Sequence, residues 1–184
     1  MRKLSHDEIA SRRLTPGELC NVPRRPIYCL LDSIRSLYNV GSIFRTADGA
    51  RISRLILTGY TPHPPRYEIE KTALGATSTV PWEYIRDPLA AVDRLRQEGI
   101  RIVLLEQTDG SIPYYDVAPA DFPLCLVVGN EISGVSGDLV SRADGAIEIP
   151  MFGMKQSLNA AVAFGIAVFE LSRHCPAQHP SPPG

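Results

Sequence analysis

Short apolar segments alternate with helical patterns along most of this chain. The apolar segments, rich in β-branched residues, are "IYCLLDSI", "RLILTG", "VPWEYI", "RIVLLEQ", "PLCLVVGNE" and "AIEIP". Helical patterns begin at Asn39, in "YEIEKTALG", in "PLAAVDRLRQEG" and in a long apolar stretch near the end. About six strands separated by helices predict an α/β fold with a mostly parallel sheet and helices on both faces.

In such a sheet, ligands bind beyond the carboxyl ends of the strands, so the residues that follow each apolar segment are candidates for a site. The first such place is Leu105 to Gln107, and the second is Gly129 to Glu131, followed by further glycines that free the backbone. The third runs from Ile149 through a proline and a glycine to Ser157, which we expect to cap the final helix.

The helix predicted from Asn39 has one apolar side and one polar side. Its apolar side carries Val40, Ile43, Phe44 and Ala47, at the spacing of a helix face buried against a core. Arg45 lies on the opposite, polar side together with Asn39. Taken alone, an arginine on that side is an ordinary solvated surface residue.

The final helical pattern has no polar side. From Leu158 to Phe169, every residue except Asn159 is apolar or glycine. Such a helix must be covered on all sides, so it is either a core helix or a subunit interface. Asn159 is either a buried amide that is satisfied by neighbouring backbone or part of a site.

Composition indicates one globular domain with flanking segments. The chain has 184 residues, 44% of them hydrophobic and 21% charged. Residues 1–25 contain six of the nineteen basic side chains and are predicted to form a basic arm outside the core, before a domain at 26–173. Residues 174–184 hold four prolines, so we expect a disordered tail.

Charge and cysteine content exclude several classes. A net charge of −1 gives no overall electrostatic attraction to nucleic acid, so any such attraction must be local. The four cysteines are far apart, which disfavours both a disulfide framework and a metal site. With no signal-peptide pattern and no apolar run that could span a bilayer, we expect a cytoplasmic protein that does not enter membranes.

Common catalytic and nucleotide-binding signatures do not fit. No glycine-rich dinucleotide motif follows a strand, and the residues after Gly134 lack the lysine of a phosphate-binding loop. The four histidines lie in the arm, in a loop or in the tail, so a serine or cysteine nucleophile would lack its usual base.

Three segments, in order, resemble a known family. "NVGSIFRTA", "LVVGNEISGVS" and "IPMFGMKQSLNAAVAFGIAVFE" look like the three motifs of the SpoU (TrmH-type) RNA methyltransferases of the SPOUT superfamily. The likeness includes "EKTALGATSTVPWE" and extends from about Ile27 to Leu171. The chain departs from the pattern at Ala160 and Ala161, and it lacks the accessory RNA-binding domain of many relatives, which leaves the RNA target open.

The resemblance implies transfer of a methyl group from S-adenosylmethionine to a ribose 2′-hydroxyl of tRNA or rRNA by a homodimer. It also implies a deep trefoil knot in the C-terminal segment, an exception to unknotted topology. The family pattern assigns catalysis to Arg45, Asn39, Glu131 and Asn159. It assigns cofactor binding to the loop residues Leu105, Glu106, Gln107, Gly129, Asn130, Glu131, Ile149, Met151, Ser157 and Leu158.

Arg45 is expected to clamp the ribose hydroxyl and the adjacent phosphate. A guanidinium has a pKa above ~12, so it cannot serve as the general base, but its planar fork of donors suits both oxygens. Candidate phosphate contacts elsewhere are the arm's arginines, Arg51, Arg54 and Lys155, each of which could equally be a solvated charge.

Two other functions stay open at this point. A non-catalytic RNA-binding relative, such as a folding chaperone, would bind RNA and be indifferent to loss of Arg45. A small-molecule enzyme on a similar scaffold would act on free nucleosides or metabolites without folded RNA.

Overall fold

The computed structural model describes residues 1–13 and 15–175. Of the tail that we predict to be disordered, residues 176–184 lie outside the described part. The strands are β1 Arg25–Asp32, β2 Ile52–Thr58, β3 Trp82–Ile85, β4 Arg101–Leu105, β5 Ile112–Pro113, β6 Leu124–Val128 and β7 Gly145–Glu148. The helices are α1 His6–Ser11, α2 Pro16–Asn21, α3 Leu37–Ala50, α4 Tyr67–Ala73, α5 Pro88–Gln97, α6 Gly137–Val140 and α7 Ala160–His174.

The strands form one sheet in the order β3-β2-β1-β6-β4-β7-β5, and every pairing between them is parallel. The predicted α/β class and parallel sheet are therefore confirmed. The two-residue strand β5 was not predicted, because a pair such as Ile112–Pro113 is too short to show any alternation of side chains.

Alternating side chains of the central strands pack into two separate hydrophobic cores, one on each face of the sheet. Cys29 and Leu31 of β1 pack in the same core as α3, α4 and α7, whereas Leu30 packs with α5 and α6. Helices thus cover both faces of the sheet, as predicted.

Helix α3 has the polarity that its sequence predicts. The Ser36 hydroxyl caps it by accepting a hydrogen bond from the backbone amide of Asn39 at 3.2 Å. Its apolar side, including Val40 and Phe44, is fully buried. Gly41 faces α4, and a Cβ there would lie 2.0 Å from the Thr72 hydroxyl, so only glycine allows these helices to approach so closely.

Helix α7 begins later than predicted, and its cap is a different residue. Oδ1 of Asn159 accepts hydrogen bonds from the backbone amides of Ala161 and Val162, so Asn159 and not Ser157 is the cap. Ser157 precedes the first helical residue by three positions, too far back for its hydroxyl to reach the unpaired amides of the first turn. Only one side of α7 is buried in this chain, and Val162 and Phe169 are about half exposed.

Helix α1, in the predicted arm, buries none of its residues. Arg25, the last residue of that predicted arm, is the first residue of β1. The guanidinium of Arg51 holds the arm by donating to the carbonyl oxygens of Leu19 and Val22. Among the described residues, no helix has the length and apolarity to cross a membrane.

Candidate active site

A cavity of about 560 Å³ lies at the carboxyl ends of β4, β6 and β7, where the sheet topology predicts a ligand site. All ten predicted cofactor residues line it: Leu105, Glu106, Gln107, Gly129, Asn130, Glu131, Ile149, Met151, Ser157 and Leu158. Sequence reasoning missed further lining residues, among them Thr108, Ile132, Val135, Glu148 and Ala163. Most are neighbours of predicted residues in the same loops. The sequence therefore indicated the correct loops, but more residues of each loop line the cavity than we predicted.

The loop after β6 forms a tight turn that requires glycine. Asn130 and Gly134 exchange two backbone hydrogen bonds, of 2.9 and 3.0 Å. A Cβ on Gly129 would lie 2.3 Å from the backbone carbon of Gly134, a distance that no real Cβ contact shows. Gly134 itself has a positive φ of 69°. The two glycines therefore let this loop fold back on itself beside the cavity.

The side chain of Asn130 holds this loop in place. Its Oδ1 accepts from the backbone amides of Ile132 and Ser133. Its Nδ2 donates to the Ser33 carbonyl and to the Tyr60 hydroxyl, each at 2.7 Å. Because these protein groups occupy its amide, Asn130 shapes the cavity wall through the loop that it fixes.

Glu106 and Gln107 connect the other two loops of the cavity. The Glu106 carboxylate accepts from the backbone amides of Gln107 and Val135, at 3.0 and 3.1 Å. The Gln107 side-chain amide donates to the Gln156 carbonyl at 2.6 Å. These contacts join the end of β4 both to the loop after β6 and to the segment before α7.

Glu131 binds the start of α3. Its carboxylate accepts from the backbone amides of Arg35 and Ser36, at 2.9 and 3.1 Å, and from Nδ2 of Asn39 at 2.9 Å. Partial burial alone would raise the pKa of this carboxyl, but the hydrogen bonds outweigh that effect and lower its pKa below the ordinary value. Glu131 is therefore ionised near neutral pH and acts as an acceptor.

Asn39 extends this contact to the third motif. Its Oδ1 accepts a hydrogen bond of 3.0 Å from Nδ2 of Asn159, the cap of α7. The series Glu131, Asn39 and Asn159 thus joins all three motif segments beside the cavity. Three of the four predicted catalytic residues are brought together in this way.

Arg45, the fourth, stands apart. It follows Asn39 by six residues along α3, about 9 Å at 1.5 Å per residue, and it does not line the cavity of its own chain. Its side chain is exposed and makes no hydrogen bond or ion pair with any residue that the structure describes. The guanidinium is therefore available to an external anion.

Five of the candidate phosphate contacts have partners within the chain. Arg51 donates hydrogen bonds to backbone carbonyls at the end of α2, and Arg54 pairs with Glu83 at 3.0 Å. Within the arm, Arg2 pairs with Glu8, while Arg24 and Arg25 donate to backbone carbonyls of the domain. Lys155 is exposed, without a side-chain partner among the described residues.

Metal and thiol chemistry find little support in this fold. In residues 1–13 and 15–175, no group of three histidine, cysteine or acidic side chains is placed to hold a metal ion. Cys29 and Cys125 are buried in the sheet, and burial raises the pKa of both thiols.

The fold and the site together define a class: parallel α/β proteins with a ligand cavity formed by three loops beyond the strand ends. The SpoU rRNA Methylase family matches residues 26–169, and the chain belongs to that family.

Curated relatives agree with this assignment. The chain is 32% identical over 157 residues to the tRNA (guanosine(18)-2′-O)-methyltransferase of Aquifex aeolicus, covering 85% of this chain and 73% of that protein. It is 30% identical over 166 residues to the 23S rRNA (guanosine(2553)-2′-O)-methyltransferase RlmP of Bacillus subtilis, covering 85% and 65%. The chain spans 57 to 73% of the length of the first curated relatives that it matches.

Solved structures show the same fold. The TrmH/SpoU tRNA modifying enzyme of A. aeolicus superposes with a TM-score of 0.73 at 30% identity, covering 82% of this chain and 76% of that one. An AdoMet-bound rRNA methyltransferase from Sinorhizobium meliloti superposes with a TM-score of 0.75 at 31% identity, covering 85% and 59%.

Proposed function

We propose that this protein transfers a methyl group from S-adenosylmethionine to a ribose 2′-hydroxyl of RNA. The observation that carries the proposal is the hydrogen-bonded series Glu131, Asn39 and Asn159, which joins three family motifs beside one cavity. Arg45, which has no side-chain partner among the described residues, lies farther along the helix that bears Asn39. The relatives named above, which methylate ribose hydroxyls of tRNA and rRNA, support the same reaction.

The cavity fits S-adenosylmethionine in size and chemistry. Its volume falls within the range of about 300–1,000 Å³ that is usual for small-ligand sites. Apolar side chains such as Leu105, Ile149 and Leu158 suit the adenine ring, and the glycine loop at 129–134 forms part of the cavity wall. When bound, S-adenosylmethionine supplies a methyl group on a positively charged sulfur.

Arg45 has the properties that the transfer requires. A ribose hydroxyl is a poor nucleophile, so an enzyme must stabilise the negative charge that develops on its oxygen and align that oxygen for in-line attack. The free guanidinium can donate to this oxygen and to the neighbouring phosphate at the same time. It cannot take the proton, because a guanidinium does not lose its own at accessible pH. Phosphate or water is the acceptor in this scheme.

The series Glu131, Asn39 and Asn159 positions the machinery. Ionised Glu131 fixes the first turn of α3, and Asn159 fixes the start of α7 against it. The cavity and the helix that bears Arg45 are thereby kept in one geometry. These three residues consequently act on orientation and not on proton transfer.

The active unit in this proposal is a homodimer. Val162, Ile166 and Phe169 lie at positions i, i+4 and i+7 of α7 and form an exposed apolar side. Arg45 does not line the cavity of its own chain, which fits a site that a second protomer completes. Light scattering should give a dimer for the wild type and a monomer for Phe169→Asp. Tyr115→Asp, just after the edge strand β5, should leave the dimer intact, and a wild-type monomer would contradict this assembly.

A knotted C-terminal segment is part of the proposal. The segment at residues 149–158 lines the cavity beside the loop after β6, and α7 then returns to pack with α3 and β1. A crystal structure in which this segment passes through no loop of the chain would contradict the knot.

Methyl transfer can be tested directly. Purified protein is incubated with tritiated S-adenosylmethionine and size-separated total RNA, with the wild type beside Arg45→Ala, and labelled RNA is digested to nucleosides. We expect a labelled 2′-O-methylnucleoside with the wild type and none with Arg45→Ala. The size class of the labelled RNA before digestion distinguishes tRNA from rRNA. Methylation of free nucleosides in place of RNA would contradict the proposal. So would a wild type that binds RNA but transfers no methyl group to it.

A further inference from the structure

A second surface borders the candidate site. We call it the tyrosine–arginine face, and it consists of Arg35, Tyr38, Tyr60, Arg66, Tyr67 and Arg86. All six side chains are exposed, and the tyrosines expose 52% (Tyr38), 63% (Tyr60) and 75% (Tyr67) of their surface. Such exposure of three large aromatic rings within one region calls for a partner.

The six residues come from neighbouring positions at one end of the sheet. Arg35, Tyr60 and Arg86 follow the carboxyl ends of the adjacent strands β1, β2 and β3. The Gly59 amide donates to the Arg86 carbonyl at 3.1 Å, which joins the second of these loops to the third. The turn at residues 59–61 also packs on the loop after β1, because the amide of Ile34 donates to the hydroxyl of Thr61.

The helices bring the remaining residues to the same place. Tyr38 lies in the first turn of α3, and its carbonyl accepts from the Thr72 hydroxyl of α4 at 3.3 Å. Tyr67 is the first residue of that helix, directly after Arg66. Tyr38 is also seven residues before Arg45, so the two side chains lie on one side of α3, two turns apart.

The face is rigidly supported. The Tyr60 hydroxyl accepts from Nδ2 of Asn130, and the Tyr84 hydroxyl donates to the Gly59 carbonyl at 2.6 Å. The His63 ring also lies 4.8 Å from the Tyr84 ring. The loop that bears Tyr60 is therefore held in place beside the rings of Tyr38 and Tyr67.

Positive charge is a second feature of this region. Several arginines elsewhere pair with acidic side chains, for example Arg54 and Arg94 with Glu83, and Arg142 with Asp93. The side chains of Arg35, Arg66 and Arg86, like that of Arg45, have no such partner among the described residues. Although the chain carries a net charge of −1, this region thus holds four guanidinium groups that have no acidic partner among the described residues.

Exposed aromatic rings interleaved with unpaired arginines are suited to single-stranded nucleic acid. Bases stack on the rings, and guanidinium groups hold the phosphates between them. Paired bases within a duplex cannot stack on the rings in this way. We infer that the tyrosine–arginine face holds unpaired RNA nucleotides that flank the modified one, with their bases stacked on Tyr38 and Tyr67. The inference rests on the proposed function, because it concerns the RNA that this site would methylate.

The test measures binding and methyl transfer separately. The probe is a single-stranded oligoribonucleotide of about 12 nucleotides that carries the fluorescent base 2-aminopurine, with a duplex of the same sequence as comparison. Tyr38→Ala and Tyr67→Ala are each expected to weaken binding of the single strand on the order of 10-fold and to reduce quenching of the fluorophore. Tyr38→Phe and Tyr67→Phe keep the rings and should bind normally, as should Tyr115→Ala at the other sheet edge. Affinity for S-adenosylmethionine should not change in any of them.

Several results would overturn the inference. These are unchanged binding by both alanine variants, equal affinity for duplex and single strand, or no binding of the single strand by the wild type. If the wild type binds the strand through these tyrosines but transfers no methyl group to any RNA, the proposed function fails while the face stands. If the wild type methylates RNA and both alanine variants match it in binding and turnover, only the face fails.

Discussion

The side-chain amide of Asn159 donates a hydrogen bond to Oδ1 of Asn39, 3.0 Å away across 120 residues of sequence. Asn39 in turn donates to Glu131 at 2.9 Å, while Oδ1 of Asn159 caps α7. Each amide therefore uses its oxygen and its nitrogen for different partners, so neither could be replaced by an aspartate, which cannot donate when ionised. The same atoms secure the fold and arrange the candidate site.

A double-mutant cycle should detect the bond between Asn39 and Asn159. Asn39→Ala and Asn159→Ala are each expected to lower the free energy of unfolding by about 1 to 3 kcal/mol, because each leaves a polar partner unsatisfied. Since both changes remove the same contact, the double variant should lose less than the sum, by at least about 0.5 kcal/mol. Urea denaturation followed by circular dichroism measures all four proteins.

Ser141→Ala, on the other side of the sheet, supplies the control for this cycle. The Ser141 hydroxyl donates only to the Asp138 carbonyl, in α6. Its effect and that of Asn39→Ala should add. Additive effects for the Asn39 and Asn159 pair as well would show that the hydrogen bond contributes nothing in solution.

Gly129→Ala should damage the cavity without changing any of its polar side chains. The added Cβ would meet the backbone at Gly134 and Val135, which no side-chain rotation can relieve. We expect a loss of about 1 to 3 kcal/mol in stability and a large rise in the Kd for S-adenosylmethionine, measured by calorimetry. Gly137→Ala is the matched control, because a Cβ there meets nothing within 4 Å. Equal affinity in both variants would show that the turn does not form part of the cofactor site.

Arg45→Lys should separate the geometry of this side chain from its charge. Lysine keeps the positive charge but lacks the planar fork that can hold two oxygens at once. We expect kcat to fall about 100-fold, as for loss of a donor to a developing oxyanion, with the Kd for S-adenosylmethionine unchanged. Arg142→Lys, at an exposed ion pair with Asp93, should retain normal turnover. Near-normal turnover by Arg45→Lys would rule out the clamp.

Local patterns were sufficient to predict most strands and helices of this fold. The apolar side of α3 and the exposed position of Arg45 follow from helical spacing alone, and both are confirmed. The cap of α7 was missed because serine and asparagine are both good caps and stand two residues apart. Only the geometry of the first turn decides between Ser157 and Asn159.

Long-range partners could not be read from the sequence. Arg51 and Arg54 have the same appearance in the sequence as Arg45, yet one donates to carbonyls of the arm and the other pairs with a strand β3 carboxylate. The order of the strands and the contact between Asn39 and Asn159 likewise depend on how distant segments meet. The resemblance to a family indicated which loops form the cavity, whereas spacing alone indicated only that such loops follow the strands.

The pKa of Glu131 predicts how stability depends on pH. Hydrogen bonds from the backbone amides of Arg35 and Ser36 and from Asn39 outweigh the effect of burial and lower that pKa in the folded protein. A carboxyl with a lowered pKa stabilises the fold while it is ionised. Its contribution is therefore fully present above the pKa that this carboxyl has in the unfolded chain. It disappears as the pH falls through the pKa of the carboxyl in the folded protein.

Between pH 7 and pH 3, Glu131→Gln should consequently show a smaller fall in Tm than the wild type, from a lower starting value. Asp109→Asn removes an exposed carboxylate that has no side-chain partner among the described residues, and it measures the effect of net charge alone. If Glu131→Gln and Asp109→Asn alter the acid limb of the Tm curve equally, the hydrogen bonds of Glu131 do not stabilise the start of α3.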